Sequence, residues 1–411
     1  MEQFVTTLTE LAENPPKRLL LMYSGGVDGT YLLQWAQRQG IPVTSLSVRI
    51  GDVGESAAQM RAKAFDVEHH EVDATTEFYT DFVPTALHAD AYYQGQFPVG
   101  STLSRPLMAR CAVEWAHRLG CDAVGHTATY MQNSAARLSS ALVALQPDLS
   151  VIAPFLGSDV PREEKLASLA GDGISFSNGI HSVDANPWSR VIECGTLESP
   201  ENPIPEDVFA WTRNPSDAPE NPAELSLRFE RGLPVALDDE PITLEELVPR
   251  LNALAGTHGV GRFSGLEDTP FGVKNHEVRE SPAAAVLTAA HRALANAVLG
   301  TREHAVRAHI ANEWTNEVVH GGWYSHLGTA LAASLTALDR PLSGQLRLRL
   351  HRGNIIIVAV RGDAGLYYTR LGQEFHDWMG RQSYPSWLSL RTLAERERQR
   401  SDPSALSTAR E

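Results

Sequence analysis

The chain has 411 residues, 43% hydrophobic and 21% charged, which excludes extended disorder and allows two or three folded domains at about 150 residues each. Fifty acidic residues against 35 basic ones leave a net charge of −15, which repels nucleic acid at long range, and no basic run precedes the C-terminal tail. Cys111, Cys121 and Cys194 are too few and too scattered for a disulfide framework or a zinc cluster.

The opening MEQFVTTLTELAENPPK lacks the basic start and apolar centre of a signal peptide, and no apolar run reaches about 18 residues. A cytoplasmic location with no membrane partner is expected. Arg18 to Tyr23 is almost continuously apolar, as a strand covered on both faces must be, and comparable strands are expected at Val43–Val48, Val67–Val72, Asp122–Gly125 and Ser150–Ala153. Helical patterns lie between them, clearest in Arg105–Leu119, where apolar residues recur at spacings of three and four. This alternation predicts an α/β domain with a doubly wound parallel sheet over residues 1–168. His69 and His70 fall on one of its strands and read as a solvated or structurally satisfied pair. His126 ends another strand at the sheet's carboxyl edge, where doubly wound folds collect ligands, and is a candidate nucleotide contact.

Between residues 200 and 222 six prolines, Pro200, Pro203, Pro205, Pro215, Pro219 and Pro222, interrupt regular structure. A mixed α+β domain is expected over 169–372, with a hairpin at Leu225–Leu237 and a helix from Thr243 capped by Glu246. A second helix begins at Ser281-Pro282 and runs through Leu287, His291 and Leu294, and a further hairpin lies in GQLRLRLHRGNIIIVAV, turning at His351 to Gly353. Residues 373–411 read as a charged helix, with Arg391–Arg400 a solvated face, and a disordered end.

The chemistry concentrates in SGGVDGT, Ser24 to Thr30. A strand, two glycines and a helix start present backbone N–H groups where the helix dipole favours anions, so phosphate is the natural guest. Gly25 and Gly26 permit close approach, and the hydroxyls of Ser24 and Thr30 are candidate donors. Asp28 would repel a bare phosphate, so a Mg²⁺ bridging carboxylate and phosphates is expected there. No Gly-Lys-[Ser/Thr] follows, which excludes the Walker A pattern.

The loop resembles the pyrophosphate-binding loop of ATP pyrophosphatases, Ser-Gly-Gly-x-Asp-[Ser/Thr], with Gly29 placing Thr30 one position late. The resemblance narrows to the argininosuccinate synthase family through FPVGSTLSRPLMAR (Phe97 to Arg110), DAVGHTAT (Asp122 to Thr129), HSVDAN (His181 to Asn186), THGVGR (Thr257 to Arg262), ESPAAAVLTAAHRAL (Glu280 to Leu294) and GGWYSHL (Gly321 to Leu327). What this implies is an ATP-dependent C–N ligase with a nucleotide domain, a synthetase domain and a C-terminal helix used in a homotetramer. An acceptor oxygen attacks the α-phosphorus, pyrophosphate leaves, and an amine displaces AMP. By the same resemblance the nucleotide contacts are Tyr23, Ser24, Gly25, Gly26, Asp28, Gly29, Thr30, Val48, His126 and Thr127. Ser24, Asp28 and Arg137 are the catalytic candidates. Asn133 and Arg137 match positions that touch the two amino-acid substrates, Thr129 one that contacts aspartate, and Ser182 and Glu267 ones that contact citrulline, with Ser101 beside them. Asp184 and Asn186 also match family positions.

The likeness is uneven. YMQNSAARL rebuilds a glycine- and lysine-bearing loop as Tyr130, Met131 and Gln132, and Ser134 stands in place of an aspartate. Phe97 and Arg279 replace tyrosines, Val191 a serine, and Thr102 a serine or alanine. Losing an acid at Ser134 and gaining a guanidinium at Arg279 predicts a more positive pocket, if both side chains face it, and a substrate pair other than citrulline plus aspartate. A genuine argininosuccinate synthase, with Arg279 paired to Glu267 or Glu280, is the alternative. A silent nucleotide-binding regulator and a tRNA thiolase are the alternatives of other classes; the thiolase lacks its expected cysteine pair and basic surface.

Overall fold

In the computed structural model, which describes residues 4–52, 57–176, 180–269 and 271–401, the LLLM run forms the strand Leu19–Met22 inside a six-stranded parallel sheet. The strand order is Phe4–Val5, Ser150–Ile152, Ala123–Gly125, Leu19–Met22, Val43–Arg49 and Glu68–Asp73. Alternation sends Leu19 and Leu21 to one core, against Leu32, Leu33 and Ala36 of the helix Val27–Gln39. Leu20 and Met22 go to the other, against Ala109, Ala112 and Leu138 of the helices Ser101–Leu119 and Asn133–Leu145. The last strand departs from expectation. Glu68–Asp73 lies at the sheet edge and is half-exposed rather than buried on both faces; there His69 Nδ1 lies 2.9 Å from Ser45 Oγ and His70 stacks on Trp115.

Residues beyond 180 build two antiparallel sheets. One has the order Arg262–Asp268, Lys274–Glu280, Ser189–Glu193 and Ser182–Asn186. The other joins both expected hairpins, Ala223–Glu230 with Leu233–Leu237 and Gly344–His351 with Asn354–Gly362, through a pairing of Leu225 with Leu348. Its inward leucines pack on the helix Pro282–Val298. Thr243 and Glu246 form their reciprocal cap at 3.3 and 3.1 Å. Ser281 occupies its N-cap position, but its hydroxyl donates to Ser189 Oγ at 2.8 Å instead of capping the helix. At the C-terminus, helices Tyr368–Asp377, Tyr384–Arg391 and Leu393–Ser401 bury no residue. The disordered end expected after them lies outside the described residues. No helix among the described residues is long and apolar enough to cross a membrane.

A buried charge network clamps the first half to the second. Arg307 donates to Asp339 Oδ1 and Asp90 Oδ2, each at 2.7 Å, and to the His88 carbonyl at 2.6 Å. His291 Nδ1 lies 2.8 Å from Asp90 Oδ1, and His88 Nδ1 lies 2.9 Å from Asp339 Oδ2. Burial opposes an imidazolium at His291, but Asp90 and Asp339 overcome it and hold the pKa up at about 9. A raised basic pKa stabilises the fold fully below the unfolded value near 6.5, and that stability is lost as pH climbs through about 9. The thermal midpoint should therefore fall between pH 6.5 and 9. His291→Gln should flatten that dependence while lowering stability at pH 6.5 by on the order of 3 kcal/mol. Calorimetry across the window, at constant ionic strength, checks it; an unchanged slope in the variant would contradict the assignment.

Candidate active site

The Ser24–Thr30 turn leaves the carboxyl end of the Leu19–Met22 strand. Gly25 has φ 80°, and a Cβ there would sit 3.0 Å from the Ala58 amide nitrogen, so only glycine fits. Gly26 is the N-cap of the helix Val27–Gln39 and offers no side chain, which leaves the first-turn N–H groups open. Thr30 corrects the reading of a phosphate donor: it is fully buried, its hydroxyl donates to the Gly26 carbonyl at 2.7 Å, and it lies 2.8 Å from the Tyr23 hydroxyl. Gly29 also acquires a structural reason. A Cβ there would fall 2.7 Å from Tyr23 Cδ2, so the extra glycine lets that ring lie against the helix.

Asp28 Oδ1 accepts from Lys165 Nζ at 2.8 Å, and the buried ammonium lies 3.9 Å from the centre of the Phe155 ring. Lys165 belongs to the helix Arg162–Gly171, far away in sequence, and nothing in its local pattern marks it. A single half-exposed carboxylate beside an anion-binding turn fits Mg²⁺, which usually takes one or two carboxylates and completes its shell with phosphates and water.

A cavity of about 450 Å³ begins at this turn and runs between the two halves of the chain. Of the residues expected at the site, Tyr23, Ser24, Asp28, Val48, Ser101, His126, Thr127, Asn133, Ser134, Arg137, Ser182, Val191 and Glu267 line it, as do Asp184 and Asn186. Gly25, Gly26, Gly29 and Thr30 shape the turn behind the wall. Phe97, Thr102, Thr129 and Arg279, expected to touch substrate, are not on the wall. Thr102 is buried in the first turn of its helix; the Thr129 carbonyl accepts from the Gln132 N–H, and the Thr129 N–H donates to Gln132 Oε1 at 3.1 Å. Arg279 lies over the Phe97 ring at 4.0 Å.

The wall residues tie the halves together. Arg137, 3% exposed, donates to Ser101 Oγ at 2.7 Å, to the Val319 carbonyl at 2.8 Å and to Glu267 Oε1 at 3.0 Å. Asn133 donates to Glu267 Oε2 at 3.0 Å. Burial raises the Glu267 carboxyl, but Arg137 and Arg279 outweigh it and hold the pKa down at about 2. His126 is buried and its pKa is pushed down to about 4 by that burial, so it is neutral. With Nε2 donating to Ser139 Oγ across 2.9 Å, its buried Nδ1 is an acceptor with no partner among the described residues.

The cavity does not receive the guanidinium of Arg279 as added positive charge, because that side chain is not on its wall. It is lined by five carboxylates (Asp28, Asp184, Glu193, Glu267 and Glu277) and two guanidiniums (Arg105 and Arg137). Ser134 accepts from Arg105 Nε at 3.2 Å, and Arg105 itself pairs with Asp184 at 2.6 Å. Arg279 is held by Glu277 and lies 3.6 Å from Glu267; Glu280 pairs with Arg190 instead. Glu277 escaped the sequence reading, although Asn275, Glu277 and Arg279 alternate in KNHEVRE, a period-two pattern that puts all three on one face of a strand. Removing Arg137 leaves Glu267 buried without its nearest cation. Arg137→Met should cost about 3–5 kcal/mol in urea denaturation, and adding Glu267→Gln should restore part of it; strict additivity of the two losses would contradict a direct buried pair.

The chain matches the Arginosuccinate synthase N-terminal HUP domain over residues 18–175 and the Arginosuccinate synthase C-terminal domain over residues 181–377. It is 36% identical over 375 residues to the argininosuccinate synthase of Pyrobaculum aerophilum, covering 90% of this chain and 93% of that one. It is 37% identical over 357 residues to the enzyme of that name from Rubrobacter xylanophilus, covering 85% and 87%. The figure is 37% over 359 residues for that of Synechococcus elongatus, covering 85% and 90%. With a HUP-type parallel sheet, the anion-binding turn at its carboxyl edge and both domains matched in order, the chain belongs to the argininosuccinate synthase family of ATP-dependent ligases.

Proposed function

We propose that the cavity joins an amine to a ureido, amide or carboxylate carbon, activating the oxygen on that carbon with ATP and releasing pyrophosphate and then AMP. One observation carries this reading. The phosphate-type turn, through Ser24 and Asp28, and the wall matched to amino-acid substrates, through Ser182, Asn133 and Glu267, share one cavity. An adenylated acceptor formed at the turn already lies beside the second substrate and need not cross bulk water. The first-turn N–H groups after Gly26 and the Ser24 hydroxyl face the departing pyrophosphate, and Arg137 orders the wall that aligns the acceptor. A Mg²⁺ arriving with the triphosphate would be held by Asp28, in exchange for Lys165, and would supply neutralising charge.

Citrulline plus aspartate is the pair that the family resemblance implies, and the Asn133–Arg137–Glu267 cluster favours an amino-acid-like ligand. The rebuilt Tyr130–Gln132 loop and the replacements at Phe97, Ser134, Val191 and Arg279 favour a different pair. Assembly as a homotetramer fits the C-terminal helices, which leave Trp378, Trp387 and Leu390 exposed. The cytoplasm is the compartment that supplies such an enzyme with ATP.

Product analysis provides the test. ATP should yield AMP and pyrophosphate only when acceptor and amine are both present, and ADP with orthophosphate would end the reading. Ser24→Ala should lower kcat/KM for ATP about tenfold to a hundredfold, the loss of one hydrogen bond to a charged group. Citrulline with aspartate should be a poor pair in the same assay, and high efficiency with it would make the chain a genuine argininosuccinate synthase.

A further inference from the structure

The charges on the cavity wall are not evenly answered. Asp184 meets Arg105, Glu267 meets Arg137 and Asp28 meets Lys165, each within 3.0 Å. Glu193 has no ion pair among the described residues; its Oε2 accepts from Asn275 Nδ2 at 2.8 Å. Glu277 is anchored from one side: Arg279 Nε, at 3.0 Å, and Nη2 both donate to Oε2. Its Oε1 is left with the same Asn275 amide at 3.5 Å, the limit of a hydrogen bond.

Strand register explains why the two acids meet. Ile192 pairs with Val278, so the antiparallel continuation sets Glu193 beside Glu277, on the face that also carries Glu267. Like charges opposed across a strand pair destabilise a sheet, and burial aggravates it, yet Glu277 is only 5% exposed. Farther along this face, Thr269 lines the cavity, is 7% exposed, and has a buried hydroxyl with no partner among the described residues. Such a group points to a guest that completes it. Arg279 cannot answer a guest anion. It is 2% exposed, stacked on Phe97 and donating to the Pro98 carbonyl at 3.2 Å.

We propose that Glu277 and Glu193 receive a protonated amine on the acceptor substrate, so that the acceptor presents an ammonium, and needs no carboxylate, at the end remote from its reacting oxygen. An ammonium has three donors and no acceptor, which suits two carboxylate oxygens flanking one amide, Glu193 Oε1 without a partner among the described residues and Glu277 Oε1 at the limit of a hydrogen bond. Glu267 and Ser182, which by the family resemblance match citrulline-contacting positions and so the acceptor side, share this sheet face, and this argues for a subsite with the acceptor and not the amine donor. The inference rests on the ligase reading in taking the cavity to hold such an acceptor.

Three ureides of similar chain length test it: (4-aminobutyl)urea, 5-ureidopentanoate and citrulline, titrated calorimetrically into the full-length protein saturated with α,β-methylene-ATP. (4-Aminobutyl)urea should bind at least tenfold more tightly than 5-ureidopentanoate and no more weakly than citrulline. Glu193→Gln and Glu277→Gln should each reduce that preference at least threefold, and the pair should abolish it. Glu193 is partly exposed, so its variant decides the matter if Glu277→Gln does not fold. No binding of (4-aminobutyl)urea, equal binding of the two singly charged ureides, or a preference that survives in both variants would overturn the proposal. Pyrophosphate release is scored separately. Selective binding with no release for any amine would support the subsite and sink the ligase reading; release supported equally by 5-ureidopentanoate would sink the subsite and leave ligation standing.

Discussion

One guanidinium holds the functional region in register. Arg137 projects from the helix Asn133–Leu145 of the parallel-sheet half and reaches three other segments at once. These are the start of the helix Ser101–Leu119, the end of the helix Thr301–Val319 and the strand Arg262–Asp268 that carries Glu267. A buried ion pair of this kind gains little over a well-packed apolar contact, but losing one partner is expensive. Its consequence is geometric: the turn that grips phosphates and the sheet that grips the substrate are held across one cavity.

A second clamp, around His88, Asp90, His291, Arg307 and Asp339, joins the two halves away from the cavity wall. His88 and Asp339 sit at helix ends, while His291 and Arg307 project from within the helices Pro282–Val298 and Thr301–Val319, and every charge in the cluster has a partner of opposite sign. The three groups His88, His291 and Asp339 are close enough together to suggest a metal site. Arg307 already supplies the cation, with hydrogen bonds to both aspartates, so the cluster is complete as an ion network.

The polarity of the cavity changes how the family likeness is read. The loss of an acid at Ser134 and the gain of an arginine at Arg279 predict a more positive pocket only if both side chains face it. The folded chain answers that arginine with Glu277, two residues away on the same strand face, and buries it under Phe97. Substitutions at a site come in sets, and their sum is set by which side chains share a face, not by which positions differ.

Much of the architecture was legible because its cause is local. Continuous apolar runs bounded by turns specify buried strands, recurrences at three and four specify helices between them, and Ser-Gly-Gly before a helix specifies open N–H groups whatever surrounds them. Where the cause is long-range, local pattern was silent or misleading. The edge position of Glu68–Asp73, the turning inward of Thr30 and the pairing of Asp28 with Lys165, 137 residues apart, follow from strand order and packing. So does the meeting of Glu193 with Glu277, distant along the chain, through an antiparallel register that neither segment announces. The amino-acid sequence by itself determined the elements and the phosphate-type turn, since backbone geometry and periodicity act within a few residues. Only the tertiary structure decided the charge of the cavity, because electrostatics depends on distance in space and on burial.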